Sequence, residues 1–142
     1  ISMNMYYSPI GLTTVDMYLT QAECYIREGN LTEAMNTLNN IRQHRIITSK
    51  YADLSASTPE AAITILKNIY RTENYATLKN FIDLKRWNTD ATFQATLYKS
   101  ISYTANGETK NFSAELTPDS PLWILPFPQN ATDYNPNLTQ NY

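Results

Sequence analysis

Apolar positions recur with a helical period through most of the chain and with a period of two near its end. Residues 1–12 show neither period and carry Pro9 and Gly11, which predicts an extended incoming segment. From Thr13 the positions Val15, Tyr18, Leu19, Ala22, Tyr25 and Ile26 form one helical stripe. Thr13 or Thr14 can cap this helix, and Asp16 falls in its first turn, where the dipole favours an anion. Glu23 and Arg27 form an i,i+4 pair expected on the wet side. Gly29-Asn30 stops the helix, because glycine takes the left-handed conformation that a helix end requires. Thr32 is then expected to cap a second helix, with Glu33 in its first turn and Leu31, Ala34, Leu38 and Ile41 on its apolar face. So short a turn makes the two helices antiparallel neighbours, an αα-hairpin over residues 13–47.

Residues 48–57 read as a loop. Thr58-Pro59-Glu60 is a helix start with a cap, a proline at the first helical position and an acid in the first turn. The helical pattern over 58–88 loses phase near residues 74–77, which predicts two helices or a kinked one. Beyond it, Asn106-Gly107 supplies the positive φ angles of a type I′ turn, within a β-hairpin over 96–116. Pairing Ala105 with Glu108 sets Tyr103 across from Lys110, Ile101 across from Phe112 and Leu97 across from Leu116. From Thr117 five prolines argue against regular structure, yet LWILPFP is strongly apolar. Residues 117–142 are therefore expected to form an extended strap, docked by Trp123, Leu125 and Phe127, with asparagines satisfying backbone groups along it.

Composition narrows the possibilities. A length of 142 residues suits one domain with a real core. Twelve per cent aromatic residues argue against disorder. The formal net charge of −2 comes from well-mixed charges, so no basic stripe exists for nucleic acid. One cysteine, Cys24, excludes an internal disulfide, and its apolar neighbours predict a buried, inert thiol. With His44 the single histidine, no Cys/His metal site can be assembled, and no cofactor motif is present. No apolar run approaches the ~20 residues of a membrane span. The chain starts at Ile rather than Met, so its start reads as a cut and any targeting segment would lie upstream. Four N-x-S/T sequons occur, at Asn30, Asn111, Asn130 and Asn137. Random placement of 15 Asn among 27 Ser and Thr predicts about three in this length, so they carry no signal.

Catalytic chemistry is poorly supplied. On one straight helix Glu73 and Asp83 lie ~15 Å apart and about 280° out of phase, against the ~5–9.5 Å that a glycosidase pair needs. No nucleophile elbow or phosphate-cradling loop occurs. Trp87 beside Lys85 and Arg86 has the residue types of a sugar-stacking platform. At the end of an amphipathic helix, however, the tryptophan is expected to pack inward with the cations at the helix C-terminus. Asp83 and Arg86 are then a framework ion pair. Tyr6, Tyr7, Tyr98 and Tyr103 lie outside the long helices and are the aromatic candidates for ligand contact.

Two levels of resemblance follow. Tyr18, Ala22, Tyr25, Ala34 and Leu38 occupy the large and small positions of a tetratricopeptide unit, though Gln21 replaces an expected Leu and no second copy is visible. Such a unit needs stacked neighbours, so the segment by itself is expected to be marginally stable. At longer range the chain resembles the C-terminal part of the SusD/RagB family. The resemblance rests on Ala22-Glu23, the Gly29-Asn30 turn, Asn39-x-x-Arg42, Asp83-Leu84-Lys85-Arg86-Trp87, Pro126-Phe127-Pro128 and Asn135-Pro136-Asn137-Leu138-Thr139-Gln140-Asn141. It departs from the family at residues 76–81 and at the last two residues.

The resemblance implies a mainly α fold, a tetratricopeptide-like hairpin with further helices in an α/α superhelical scaffold, one small β-hairpin and a proline-rich strap. It implies non-catalytic capture of oligosaccharides, or in some members peptides, at the surface of the bacterial outer membrane. Delivery would be to a SusC-like TonB-dependent transporter, with membrane contact only through a lipid anchor on a missing N-terminal part. The alternative is a tetratricopeptide adaptor that binds a protein or peptide partner.

Overall fold

The computed structural model describes residues 12–75 and 77–140. Its elements are helices α1 (Thr14–Arg27), α2 (Leu31–Arg42), α3 (Pro59–Glu73), α4 (Leu78–Trp87) and α5 (Gln129–Tyr134), with strands β1 (Leu97–Ala105) and β2 (Glu108–Leu116). Short 3-10 turns cover Thr48–Lys50 and Pro121–Trp123. The fold is thus mainly helical with one small antiparallel sheet. Two compact units divide the chain, one ending at Asn80 and the other beginning at Phe81.

In the first unit, α1 opens on a capping box. Thr13 Oγ1 accepts from the Asp16 backbone N–H at 3.2 Å, while the Thr13 N–H donates to Asp16 Oδ2 at 2.7 Å. The pair satisfies two groups that a helix end would otherwise leave bare. Lys79, at the start of α4, places Nζ 2.6 Å from the same Asp16 oxygen. At the other end Gly29 takes φ 78°, so that Asn30 N–H reaches the Tyr25 carbonyl at 2.8 Å and Gly29 N–H that of Ile26 at 3.0 Å. These are the two bonds of a Schellman motif. The cap of α2 is Asn30 rather than Thr32: Asn30 Oδ1 accepts from the Glu33 N–H, and the helix begins one residue before Thr32. The turn residue already has a short acceptor in position, so Thr32 is left inside the first turn.

Leu19, Ala22 and Ile26 of α1, Ala34, Leu38 and Ile41 of α2, and Ala62, Leu66 and Ile69 of α3 form the core of this unit. Ala22, Ala34 and Ala62 are fully buried within it. The stripe on α1 is rotated from the expected one. Glu23 is buried at 5 % exposure and Cys24 is exposed. The buried line runs Leu19, Ala22, Glu23, Ile26, an i, i+3, i+4, i+7 series, which turns Cys24 outward. Arg27 answers Glu23 at 2.9 Å, so the acid enters the packed side with its counter-charge.

The second unit contains the hairpin and the C-terminal segment. Asn106 and Gly107 both have positive φ, 53° and 80°, and the strands pair Leu97 with Leu116 through to Ala105 with Glu108. The register read from the turn chemistry is the one observed. Trp87 packs on Phe93 with ring centroids 6.2 Å apart, and Trp123 on Phe81 at 5.6 Å. The segment beyond Thr117 is less extended than its prolines suggest. Pro128 is the N-cap of α5, in extended conformation immediately before the helix. Of the three expected docking residues, Trp123 alone is buried; Leu125 is 81 % exposed and Phe127 faces solvent too. The 3-10 turn ending at Trp123 breaks the alternation that would have carried all three side chains to one side.

Candidate functional site

Three exposed aromatic residues of the described chain, Tyr98, Tyr103 and Phe112, stand on the hairpin. Side chains alternate across a strand, and directly paired residues share a face. One face therefore carries Leu97, Lys99, Ile101 and Tyr103 with Lys110, Phe112 and Leu116. The other carries Tyr98, Ser100, Ser102 and Thr104 with Thr109, Asn111, Ser113 and Glu115. On the polar face Ser102 Oγ donates to Asn111 Oδ1, and the hydroxyls of Thr104 and Thr109 lie 3.3 Å apart. On the apolar face Ile101, Tyr103 and Phe112 are all exposed, at 42 %, 51 % and 56 %.

This geometry separates two of the aromatic candidates. Tyr98 and Tyr103 lie an odd number of residues apart, so they stand on opposite faces and cannot grip one ligand together. Tyr103 instead has Lys110 directly across and Phe112 diagonally adjacent. The register was legible from the turn, and counting parity from it would have found this grouping. Tyr6 and Tyr7 lie outside the described residues.

The remaining candidates have structural employment. Trp87 is 2 % exposed, and the Arg86 guanidinium lies 5.4 Å from its ring centre. Arg86 also reaches Asp83 at 3.2 Å. Glu73 accepts a two-pronged contact from Arg45, at 3.0 Å and 3.1 Å. Both carboxylates of the sequence pair, Glu73 and Asp83, are thus engaged by guanidinium groups. Among the described residues no group of three or more His, Cys, Asp or Glu side chains is placed to hold a metal ion. No described helix is long and apolar enough to cross a membrane.

A second surface escaped the sequence reading. Along α1 runs an open depression of about 640 Å³, lined by Leu12, Thr14, Asp16, Met17, Tyr18 and Gln21 among others. Burial pushes the Asp16 carboxyl up, but the Lys79 ammonium and the Thr13 donors outweigh it and hold the group below the ordinary carboxylate range. Its charge is thus committed to the helix start and to Lys79.

The sequence motifs acquire physical reasons here. Asn39 Nδ2 donates to the Leu54 carbonyl at 2.9 Å, and its Oδ1 accepts from the Leu54 N–H at 3.0 Å. Arg42 Nη1 bridges Asn39 Oδ1 and the Ala52 carbonyl. Asn-x-x-Arg is a clamp that pins the loop after α2. In Pro-Phe-Pro, Phe127 is the one residue with an N–H, and Gln140 takes both its backbone groups, accepting at 3.1 Å and donating at 2.9 Å. Pro136 occupies the second position of a turn closed by Leu138 N–H on the Asn135 carbonyl. Asn135 Oδ1 also accepts from the Asn137 N–H at 3.1 Å.

Neither the curated proteins nor the solved structures gave a match to this chain. A family model did: that of the SusD family covers residues 14–142, from the first residue of α1 through the helical hairpin, the Asn39 clamp and the Gln140 clamp. The chain belongs to the SusD family.

Proposed function

We propose that the protein captures oligosaccharides at the outer-membrane surface without chemically altering them and passes them to a SusC-like TonB-dependent transporter. Membership of the SusD family carries this reading, since the family supports a glycan-binding role in nutrient uptake and its members are generally non-catalytic. The same membership supports surface exposure through a lipid anchor. Within this chain, Tyr103 and Phe112 are the aromatic faces best suited to stack on a sugar ring, with Lys99 and Lys110 as flanking donors. A glycan-array screen of the full-length protein tests the reading. Oligosaccharide binding that weakens in Tyr103→Ala and Phe112→Ala, and not in Tyr98→Ala, is the expected result. Binding confined to peptides would overturn the glycan assignment.

One observation favours a second reading, the adaptor. The depression along α1 exposes Met17 and Tyr18, a surface on which a partner peptide could lie. Peptide binding abolished by Met17→Glu, with no glycan response, would select it.

A further inference from the structure

The hairpin is a two-stranded sheet, and among the described residues no third strand pairs with either of its edges. Its type I′ turn makes Ala105 and Glu108 a hydrogen-bonded pair, and the alternation of an antiparallel ladder then settles the rest. The odd-numbered residues of β1 direct their backbone groups to β2. Tyr98, Ser100, Ser102 and Thr104 direct theirs outward. Natural edge strands are protected by charges, prolines or bulges. Over nine residues β1 has one charge, Lys99, no proline and an unbroken register.

We infer that the outer edge of β1 pairs antiparallel with β1 of a second copy about a two-fold axis at Ile101, joining two hairpins into a four-stranded sheet. The sequence of β1 is self-complementary in this register. Tyr98 meets Thr104 of the second copy and Ser100 meets Ser102, which places outward backbone groups opposite one another as hydrogen-bonded pairs. Ile101 meets its own equivalent. Lys99 meets Tyr103, so the one cation faces an aromatic ring rather than another cation. Any shift of register shortens the nine-residue ladder. The apolar face then runs without a break as Phe112, Ile101, Ile101, Phe112 across the joined sheet. The edge of β2 is the poorer partner, because self-pairing about Phe112 sets Glu108 against Leu116 and Lys110 against Ala114. The contact is isologous, as a closed dimer requires.

Sedimentation of the full-length protein over a range of concentrations tests the pairing. A monomer–dimer equilibrium is expected, with Ser100→Pro and Ile101→Lys each raising the dissociation constant at least about tenfold. The first removes an outward N–H; the second sets two ammonium groups face to face on the axis. Ser113→Pro, on the outer edge of β2, should leave the constant within about twofold. In a Cys24→Ser background, Ile101→Cys should form a disulfide-linked dimer under mild oxidation, whereas Lys110→Cys, one strand away from the axis, should not. This pair of variants keeps the test independent of whether the proline variants fold. A monomer at every concentration without cross-linking overturns the inference. So does a dimer that is lost through Ser113→Pro alone.

Discussion

Asn39 and Asp16 show how much single polar side chains contribute. Asn39 lies on the buried side of α2, where an apolar residue would satisfy the period equally well. It gives up that packing to bind both backbone groups of Leu54. Truncation by Asn39→Ala would strand the Leu54 N–H and carbonyl, at a cost of about 1–3 kcal/mol. Chemical denaturation measures that loss, and faster amide exchange across residues 48–57 should accompany it. For Asp16, the folded-state carboxyl titrates below its unfolded counterpart, so the unfolded chain binds more protons in acid. The resulting stability is present above the unfolded value of about 3.9 and is lost as pH falls through the lowered folded one. Denaturant unfolding between neutral pH and about pH 2 should show this decline, and Asp16→Asn should flatten it. The sequence disclosed Asp16 as an anion in the first turn. It did not disclose Lys79, because a contact across 63 positions leaves no local signal.

Elements were legible where local chemistry governs them, and less so where packing does. Gly29, Thr58-Pro59 and Asn106-Gly107 each impose a backbone conformation, and the structure obeys all three. The phase of α1 was harder to read, since Tyr18, Tyr25 and Cys24 are compatible with either side of a helix and Glu23 could be buried because Arg27 travels with it. In the C-terminal segment, one turn of 3-10 helix decided which apolar side chain goes in. Trp123 rests on Phe81 and donates its indole N–H to the Thr117 carbonyl at 2.7 Å. Its removal by Trp123→Ala should cost about 3–5 kcal/mol, while Leu125→Ala, at a solvent-facing position, should stay within about 0.5 kcal/mol. Comparing the two denaturation midpoints distinguishes a single anchor from three.

At the scale of the molecule, the helical period announced a mainly α chain and the motif order announced its family, but the candidate site depended on face assignments that composition cannot express. Leu12, Met17 and Tyr18 remain open along α1, consistent with a helical unit that lacks a stacked neighbour. The 142-residue chain prepared alone should melt below the ~45–65 °C typical of mesophilic domains. A cooperative transition above that range in calorimetry would refute the expectation.

The aromatic anchors also give the chain a built-in optical asymmetry. Both tryptophans, Trp87 and Trp123, belong to the unit that begins at Phe81, and the unit before it has none. Indole emission therefore watches one unit, while the far-ultraviolet circular dichroism is weighted towards α1, α2 and α3 in the other. Followed together through a denaturant titration, the two signals ask whether the units come apart in one step or two. Coincident curves would mean a single cooperative structure; an emission shift that leads or trails the loss of ellipticity would time the two events separately, with no label added to the protein.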